Sequence, residues 1–331
     1  MAPVAVSDGV GETVRLHATI PPAAAGRRLD QVLAELFPDF SRSRLQTWIR
    51  AGQVRIDGRP ARPRDPVAGG EEVVVEAVAA VDTRWLAEAL PLQVVYQDRD
   101  LLVIDKPAGL VTHPAAGNWS GTLVNGLLHL APELAALPRA GIVHRLDKET
   151  SGLLVVARTL QAHQALVAAL ARRDVRREYL AVVHGVPTGG GSVDAPIGRH
   201  PVERTRMAVV AGGRSAVTHY RVAERFRANA LLDVRLETGR THQIRVHLAH
   251  VRHPLVGDPV YGGRPRLPRG ATPELRALLQ GFPRQALHAA RLALAHPRSG
   301  APLAWEAPLP ADLAGLLAAL RRDAATVGDR G

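Results

Sequence analysis

Short segments with strand-like patterns dominate the chain from residue 93 onward and constrain its fold more than any other feature. The stretch VVYQDRDLLVIDKPAGLV predicts two strands joined by a turn, and LLVVAR predicts a short buried strand. TLQAHQALVAALARRD is typical of a helix, and REYLAVVHG of a further strand. RSAVTHYRVAERF and ALLDVRLETG alternate between apolar and polar residues, as neighbouring antiparallel strands do. We therefore expect a mixed α/β or an α+β domain over residues 93–320.

Residues 27–77 show a different order, which is helix, helix, strand and strand. Apolar residues at helical spacing predict the first helix, namely Leu29, Val32, Leu33, Leu36 and Phe37. Ser41 is a suitable N-cap for a second helix, which Gly52 would end. QVRID and EEVVVEA then predict two strands, with a hairpin-type turn at Asp57-Gly58. This region is expected to fold as a small domain of its own.

The second predicted helix carries a stripe of polar side chains. Arg42, Gln46 and Arg50 are four residues apart and would line the face away from the core. Such a stripe suits a phosphate backbone, so Arg42, Arg44 and Arg50 are candidate RNA contacts. A merely solvated helix face is the alternative.

Three stretches lie outside the two predicted domains. Residues 78–92 show no clear period and are interpreted as a linker. Residues 1–26 are interpreted as an N-terminal segment and residues 321–331 as a flexible tail.

The composition bounds the class of protein. The sequence contains no cysteine, which excludes disulfides, thiolate–zinc sites and a cysteine nucleophile. No apolar run approaches the roughly eighteen residues that span a bilayer, and the start lacks the pattern of a secretory signal. We expect a soluble cytoplasmic protein that acts as a monomer. The net charge of +11 favours a polyanionic partner.

The 42 basic residues include only two lysines, Lys106 and Lys148. They lie in DKPAGL and HRLDKET, two candidate site segments, and an ammonium does not replace a guanidinium at a constrained position. Both lysines are therefore candidate site residues, with survival by chance as the alternative.

The segment GIVHRLDKETSGLLVVAR places Asp147 between Arg145 and Lys148, directly ahead of a buried strand. The strand would fix the position of the carboxylate, and the two neighbouring cations would lower its pKa. An ionised, fixed carboxylate suits a reaction in which positive charge develops at a sugar C1′. Nucleophilic attack and proton removal are both open to it. A surface salt-bridge cluster is the structural alternative.

A second basic cluster, LETGRTHQIR, precedes a predicted helix. Arg240 and Arg245 would flank the N-terminal turn of that helix, which itself favours an anion. Arg245 would face either a phosphate or Asp147. Tyr179 starts a strand and would either stack on a base or fill the core.

Several other kinds of site are excluded or disfavoured. The chain has no phosphate-binding G-K-[ST] loop, no H-E-x-x-H, no G-x-S-x-G and no dinucleotide fingerprint. Histidines cluster at positions 242, 247, 250 and 253, but no thiolate or carboxylate joins them before Asp258. A structural or RNA-facing role is favoured over a metal site.

Taken together, the motifs resemble the RluA family of pseudouridine synthases. The resemblance rests on GIVHRLDKETSGLLVVAR, REYLAVVHG and LETGRTHQIRVHLAHVRHPLVGDPVYG, with support from DKPAGLVTHP and RQALHAARLALAHP, and covers about residues 27–320. Residues 27–77 resemble the S4 RNA-binding domain. That head and GRHPVERTRMAV are most similar to the RluD branch, which modifies large-subunit ribosomal RNA.

The resemblance implies a role for each matching residue. Asp147 would be the catalytic aspartate, Tyr179 would pack against the uracil, and Arg245 would pair with Asp147. Arg145 would enter the RNA stack. Further candidate RNA contacts in the matching motifs are His144, Lys148, Lys106, Arg240, Thr241 and His242. The implied fold is a mixed, largely antiparallel sheet with flanking helices.

The implied reaction turns specific uridines into pseudouridine without cofactor or metal. A uridine would flip out, its N1–C1′ bond would break, and the base would rejoin through C5. The expected partner is large-subunit ribosomal RNA, free or within a pre-ribosomal particle. Two alternatives are a non-catalytic ribosome-assembly factor that uses the S4-like head and a hydrolytic enzyme that releases uracil.

Overall fold

The structure is a computed structural model that describes residues 13–38, 40, 42–78, 85–114 and 118–328. The chain divides into two compact units, Met1–Trp85 and Leu86–Gly331.

The first unit contains a four-stranded antiparallel sheet and two helices. Its elements are β1 (Thr13–Thr19), α1 (Leu29–Leu36), α2 (Arg42–Arg50), β2 (Val54–Ile56), β3 (Arg59–Pro60) and β4 (Glu72–Val78), and the strand order is β1-β4-β2-β3. Both helices and the strands β2 and β4 confirm the sequence pattern. Asp57 and Gly58 both have positive φ, which matches the predicted hairpin turn. The proposed cap Ser41 lies outside the described residues.

The strand β1 falls within the stretch interpreted as an N-terminal segment, and it was not predicted. It pairs with β4 along its whole length, from Thr13 opposite Val78 to Thr19 opposite Glu72. Val14, Leu16 and Ala18 pack against the core of the unit. The core itself is formed by buried residues of β2 and β4 together with the apolar stripes of both helices, among them Leu33, Leu45, Trp48 and Ile49.

The second unit is built on one large mixed sheet. Its strands are β5 (Gln93–Gln97), β6 (Leu101–Lys106), β7 (Ser151–Ala157), β8 (Arg176–His184), β9 (Gly191–Asp194), β10 (Ile197–Arg199), β11 (Met207–Val209), β12 (Val217–Arg225), β13 (Asn229–Leu236), β14 (Leu287–Ala295) and β15 (Pro302–Glu306). Its α-helices are α3 (Leu123–Leu130), α4 (Leu160–Arg172), α5 (Gln243–His250), α6 (Pro273–Gly281) and α7 (Ala311–Gly328).

The nine-stranded sheet has the order β5-β6-β7-β14-β8-β13-β12-β9, with β15 on β14 and with β10 and β11 as a separate hairpin. Only β7 and β14 run parallel, and the other pairs are antiparallel. This confirms the predicted α+β fold with a largely antiparallel sheet. Every residue of β7 is buried, as LLVVAR predicted. The predicted antiparallel pair is β12 with β13.

The edges of the second unit differ from the predicted boundaries. Residues 79–84 of the linker proposed at 78–92 lie outside the described residues. The later part of this linker is hydrogen-bonded to α3 and to the turn before it: Leu86 and Glu88 bond to Asn125, and Glu88 also accepts from the Gly121 amide. Helix α7 continues to Gly328, so the boundary at 320 falls inside it. The buried Asp323, which pairs with Arg227, holds this last part of α7 in place. In the described part of the chain, no helix is long and apolar enough to cross a membrane.

Candidate active site

Asp147 lies in the loop that leads into β7, and the backbone of this loop is fixed at four successive carbonyl groups. The carbonyl of Leu146 accepts from the Thr112 hydroxyl at 2.7 Å, and that of Asp147 accepts from the Thr150 amide at 3.0 Å. The next two carbonyls accept from basic side chains. The Lys148 carbonyl accepts from the Lys106 ammonium at 3.1 Å, and the Glu149 carbonyl accepts from the Arg284 guanidinium at 3.1 Å. The loop therefore has a single, well-supported backbone conformation.

The carboxylate of Asp147 faces a buried guanidinium. Its Oδ2 atom lies 3.2 Å from Nη1 of Arg245 on α5, and the Asp147 side chain is 15% exposed. The other edge of Arg245 makes two hydrogen bonds to Asp258, at 2.8 and 2.9 Å. Burial opposes the charge on Arg245, but the hydrogen bond and charge of Asp258 raise its pKa above the ordinary value. Arg245 is thus a permanent cation beside Asp147.

Tyr179 and His242 complete the surroundings of the carboxylate. Tyr179 is buried on β8, and its pKa is raised by burial and, in addition, by the charge of Asp147. His242 precedes α5 with a positive φ, and its Nδ1 lies 2.9 Å from the Tyr261 hydroxyl. Burial lowers the pKa of His242, against the attraction of Asp147. The Tyr261 ring packs 5.0 Å from the guanidinium carbon of Arg245. The structure therefore brings Asp147, Tyr179 and Arg245 together.

The neighbours of Asp147 in the sequence are not its partners in space. Arg145 and Lys148 are exposed, and among the described ion pairs none joins either of them to Asp147. The expected pairing of these two side chains with the carboxylate is wrong, because the cation that pairs with Asp147 is Arg245, from 98 positions away. Both remain available on the surface as predicted RNA contacts.

Two predicted RNA contacts point into the protein instead. Lys106 has no exposed surface, and its ammonium donates to the carbonyls of Pro107, Leu110 and Lys148. Nε2 of His144 accepts the amide proton of Val155 at 3.1 Å, and burial lowers the pKa of this histidine to about 3. The prediction that Lys106 contacts RNA is therefore wrong. The imidazole of His144 is engaged in a hydrogen bond to the backbone of β7.

The remaining candidates on the second unit lie near α5. Arg240 is half-exposed, with its Nε donating to the Ser215 carbonyl at 3.0 Å, and Thr241 is half-buried. The clustered histidines have structural contacts: both ring nitrogens of His247 are hydrogen-bonded, to Thr218 and to the Ala195 carbonyl. His253 contacts the His184 carbonyl.

On the first unit, the stripe along α2 is partly engaged. Arg42 and Gln46 bind the fully buried carboxylate of Asp30, and Arg28 binds it as well. Burial opposes ionisation, but these hydrogen bonds lower the pKa of Asp30 to about 2. Arg42 is therefore not the free phosphate-facing side chain that its spacing predicted, although its side chain stays 42% exposed. Arg44 packs toward the Trp48 ring at 6.0 Å, and Arg50 is exposed.

Sequence reasoning missed three residues that support the site. Asp258 orients Arg245, Arg284 holds the Asp147 loop, and Thr112 holds the same loop. Each of these residues lies inside one of the sequence motifs that carry the family resemblance. Their contacts join segments that are far apart in the chain, so the residue types alone did not reveal the partners.

A carboxylate, a buried cation and an enclosed aromatic ring beside one another suit nucleophilic or base catalysis on a flat, neutral substrate. With a separate small unit of helices and strands ahead of it, this site defines an enzyme with a carboxylate-centred active site.

Comparison with known proteins identifies the chemistry. The RNA pseudouridylate synthase family matches residues 100–250, and the S4 domain matches residues 27–73. Ribosomal large subunit pseudouridine synthase D of Xanthomonas campestris pv. campestris is 60% identical over 95% of this chain and 95% of its own. The protein of that name from Pseudomonas aeruginosa is 56% identical over 95% of this chain and 98% of its own. The solved structure of human RNA pseudouridylate synthase domain containing 4 has a TM-score of 0.56 and 30% identity, covering 69% of this chain and 93% of that chain. The chain therefore belongs to the RluA family of RNA pseudouridine synthases, in its RluD branch, and carries an N-terminal S4 domain.

Proposed function

We propose that this pseudouridine synthase isomerises specific uridines of large-subunit ribosomal RNA. The observation that carries the substrate assignment is the 60% identity, over 95% of both chains, to a protein named for the large ribosomal subunit. That match extends through the S4 unit as well as the active site. We place the reaction in the cytoplasm, with a monomer as the active form.

In the proposed reaction, Asp147 acts at the sugar of a uridine that has flipped out of the RNA. Arg245 pairs with the carboxylate, and Tyr179 packs against the uracil. Asp147 either attacks C1′ or removes the C2′ proton, and both routes start from the ionised carboxylate. The N1–C1′ bond breaks, the uracil turns within the pocket, and C5 bonds to C1′. Each step uses only groups of the chain and of the RNA.

The proposed RNA contacts are exposed or half-exposed cations and polar groups. Arg145 enters the RNA stack at the position that the uridine leaves. The further contacts are Lys148, Arg240, Thr241 and His242 on the second unit and Arg42, Arg44 and Arg50 on the S4 unit.

Incubation with unmodified large-subunit RNA tests the proposal directly. We expect the wild-type protein to produce carbodiimide-reactive pseudouridines at discrete positions without a change in RNA mass. Asp147→Asn should bind the same RNA with an affinity within about threefold, because it removes no contact to a phosphate, and should leave no pseudouridine. Asp194→Asn, at an exposed carboxylate on β9, is the matched control and should retain full activity. Appreciable product from Asp147→Asn would refute the assigned role of this residue, and release of free uracil by the wild type would indicate a hydrolase.

A further inference from the structure

Arg177 differs from the other deeply buried arginines of the second unit. Arg177, Arg245 and Arg284 are 6%, 5% and 3% exposed. Arg245 is paired with Asp258 and Arg284 with Asp312. The guanidinium of Arg177 forms neither an ion pair nor a hydrogen bond with any described residue, and its Nε atom is enclosed without an acceptor. A buried guanidinium without a counterion is costly, so the group that offsets its charge arrives from outside the free protein.

Arg177 lies on the face of the sheet that carries the active site. It is two residues before Tyr179 on β8, so both side chains project from the same face, about 7 Å apart along the strand. His144 is close enough for the Arg177 charge to add to the effect of burial in lowering its pKa. The loop before α5 covers the guanidinium, since a Cβ on Gly239 would lie only 2.9 Å from its Nη1 atom.

A second hydrogen-bond donor without an acceptor lies beside it. Nε2 of His144 accepts from the Val155 amide, so the ring proton of the neutral imidazole is on Nδ1. This Nδ1 is also enclosed and unpartnered. Near Tyr179, two side chains thus offer donors that have no acceptor among the described residues, which is complementary to an oxygen that carries negative charge.

Because Arg177 is deeply buried, only the part of the nucleotide that enters the pocket can contact it. The phosphates belong to the continuous RNA backbone and remain at the rim with the exposed Arg145. The base is the end of an extruded nucleotide that enters the pocket. We propose that Arg177 donates hydrogen bonds to a carbonyl oxygen of the extruded uracil and stabilises the negative charge that the base acquires during bond cleavage. This inference rests on the proposed placement of the uracil against Tyr179.

The proposed step balances without any proton transfer from Arg177. When the N1–C1′ bond breaks, its electron pair stays with the uracil and is delocalised onto O2 and O4. When C5 bonds to C1′, C5 loses its proton and N1 gains one, so the net change is an isomerisation. Arg177 keeps all its protons and is a catalytic residue through its contact with the leaving base.

Substitution of Arg177 tests this role. In Arg177→Met, the single-turnover rate at saturating RNA should fall about a hundredfold, as on loss of a donor to a developing oxyanion. The dissociation constant for RNA should change less than about threefold, because no phosphate contact is lost. Arg177→Lys, which keeps the charge, should retain an intermediate rate. The matched control is Arg176→Met, at the exposed neighbouring position, with a wild-type rate.

Two further measurements distinguish this catalytic role of Arg177 from a structural role and from a role in RNA binding. Thermal unfolding of Arg177→Met should occur at the wild-type temperature or above it, because the free protein loses an unpaired buried charge. With RNA containing 5-fluorouridine, whose base is a better leaving group, loss of the substrate nucleoside should be slowed less by Arg177→Met than with uridine RNA. A wild-type rate, a lower unfolding temperature, an equal defect with both substrates, or weakened RNA binding that accounts for the lost activity would each overturn the proposal. The wild-type protein and Asp147→Asn, assayed in parallel, show separately whether the proposed function itself holds.

Discussion

Lys106 stabilises the active-site loop without facing the substrate. Its ammonium is fully buried and donates to three backbone carbonyls, one of which belongs to Lys148 in the Asp147 loop. Burial lowers the pKa of Lys106 to about 7, against the attraction of Glu149 and Asp147. An ammonium with three donors fits three converging carbonyls, whereas a planar guanidinium is larger and has a different geometry. This accounts for a lysine at this buried position in a chain whose basic residues are otherwise, except for Lys148, arginines.

The depressed pKa of Lys106 predicts a pH-dependent stability. Between about pH 7 and 10.5 the unfolded chain holds a proton that the folded chain has lost, so wild-type stability rises with pH in that window. Relative to Lys106→Met, the wild-type free energy of unfolding should increase by up to about 1.4 kcal/mol per pH unit. Denaturant titrations of both proteins from pH 6 to 10 measure the difference. A difference that stays constant, or that shrinks as the pH rises, would contradict the prediction.

At the residue scale, the sequence located the site but not the direction of each side chain. Asp147 was identified because it directly precedes a buried strand, and Tyr179 because its strand motif matched. The sequence left Arg245 with two possible partners, a phosphate or Asp147, and the fold selects the carboxylate. Lys106 does lie in a segment that supports the site, but it was predicted to contact RNA and instead holds the Asp147 loop. Residue type does not reveal whether a cation at a strand end points outward or inward.

At the scale of elements, the position of Asp147 depends on how β7 joins β14. Gly152, the second residue of β7, has a φ of 110°, and a Cβ there would lie 2.2 Å from the Ala289 carbonyl oxygen. This close backbone approach occurs where the only parallel pair of the described sheet forms, five residues after Asp147. A glycine is therefore required for both its conformation and its lack of a side chain.

Gly152→Ala should lower both stability and activity. We expect a loss of about 3 kcal/mol or more in the free energy of unfolding, because backbone strain adds to overpacking. Urea denaturation and pseudouridine formation measure the two effects. Gly189→Ala is the control, since a Cβ there has nothing within 4 Å and the φ is not positive. Equal stability of the two variants would show that the sheet adapts at this point.

The spacing of apolar residues predicted most of the helices and strands, because burial of one face or of both faces determines which positions are apolar. The strand β1 was missed although Val14, Leu16 and Ala18 alternate with polar residues. Its partner β4 lies beyond two helices and a hairpin, so no adjacent turn marked it as part of a sheet. The end of α7 was missed because the ion pair of Asp323 with Arg227, which supports it, is a tertiary contact.

At the scale of the whole molecule, the net charge of +11 and the S4 unit indicate that RNA binding is largely electrostatic. The proposed catalytic residues all lie on the second unit, whereas Arg42, Arg44 and Arg50 lie on the first. Arg42 also stabilises the buried Asp30, so its loss would disturb the fold of the S4 unit. Arg44 and Arg50 are the better probes of RNA affinity.

The double variant Arg44→Ala, Arg50→Ala should weaken RNA binding and leave the chemistry intact. If both side chains neutralise phosphates, the slope of log affinity against log salt should fall in magnitude by about 1.4, at about 0.7 per single-stranded contact. The single-turnover rate at saturating RNA should stay at the wild-type value, because neither residue lies on the unit that carries Asp147. Arg276→Ala, Arg322→Ala removes the same charge from the exposed faces of α6 and α7 and should leave the slope unchanged. If both pairs change the slope equally, net charge rather than the S4 surface governs binding, and if the first pair slows the saturated rate, α2 acts on the chemistry as well.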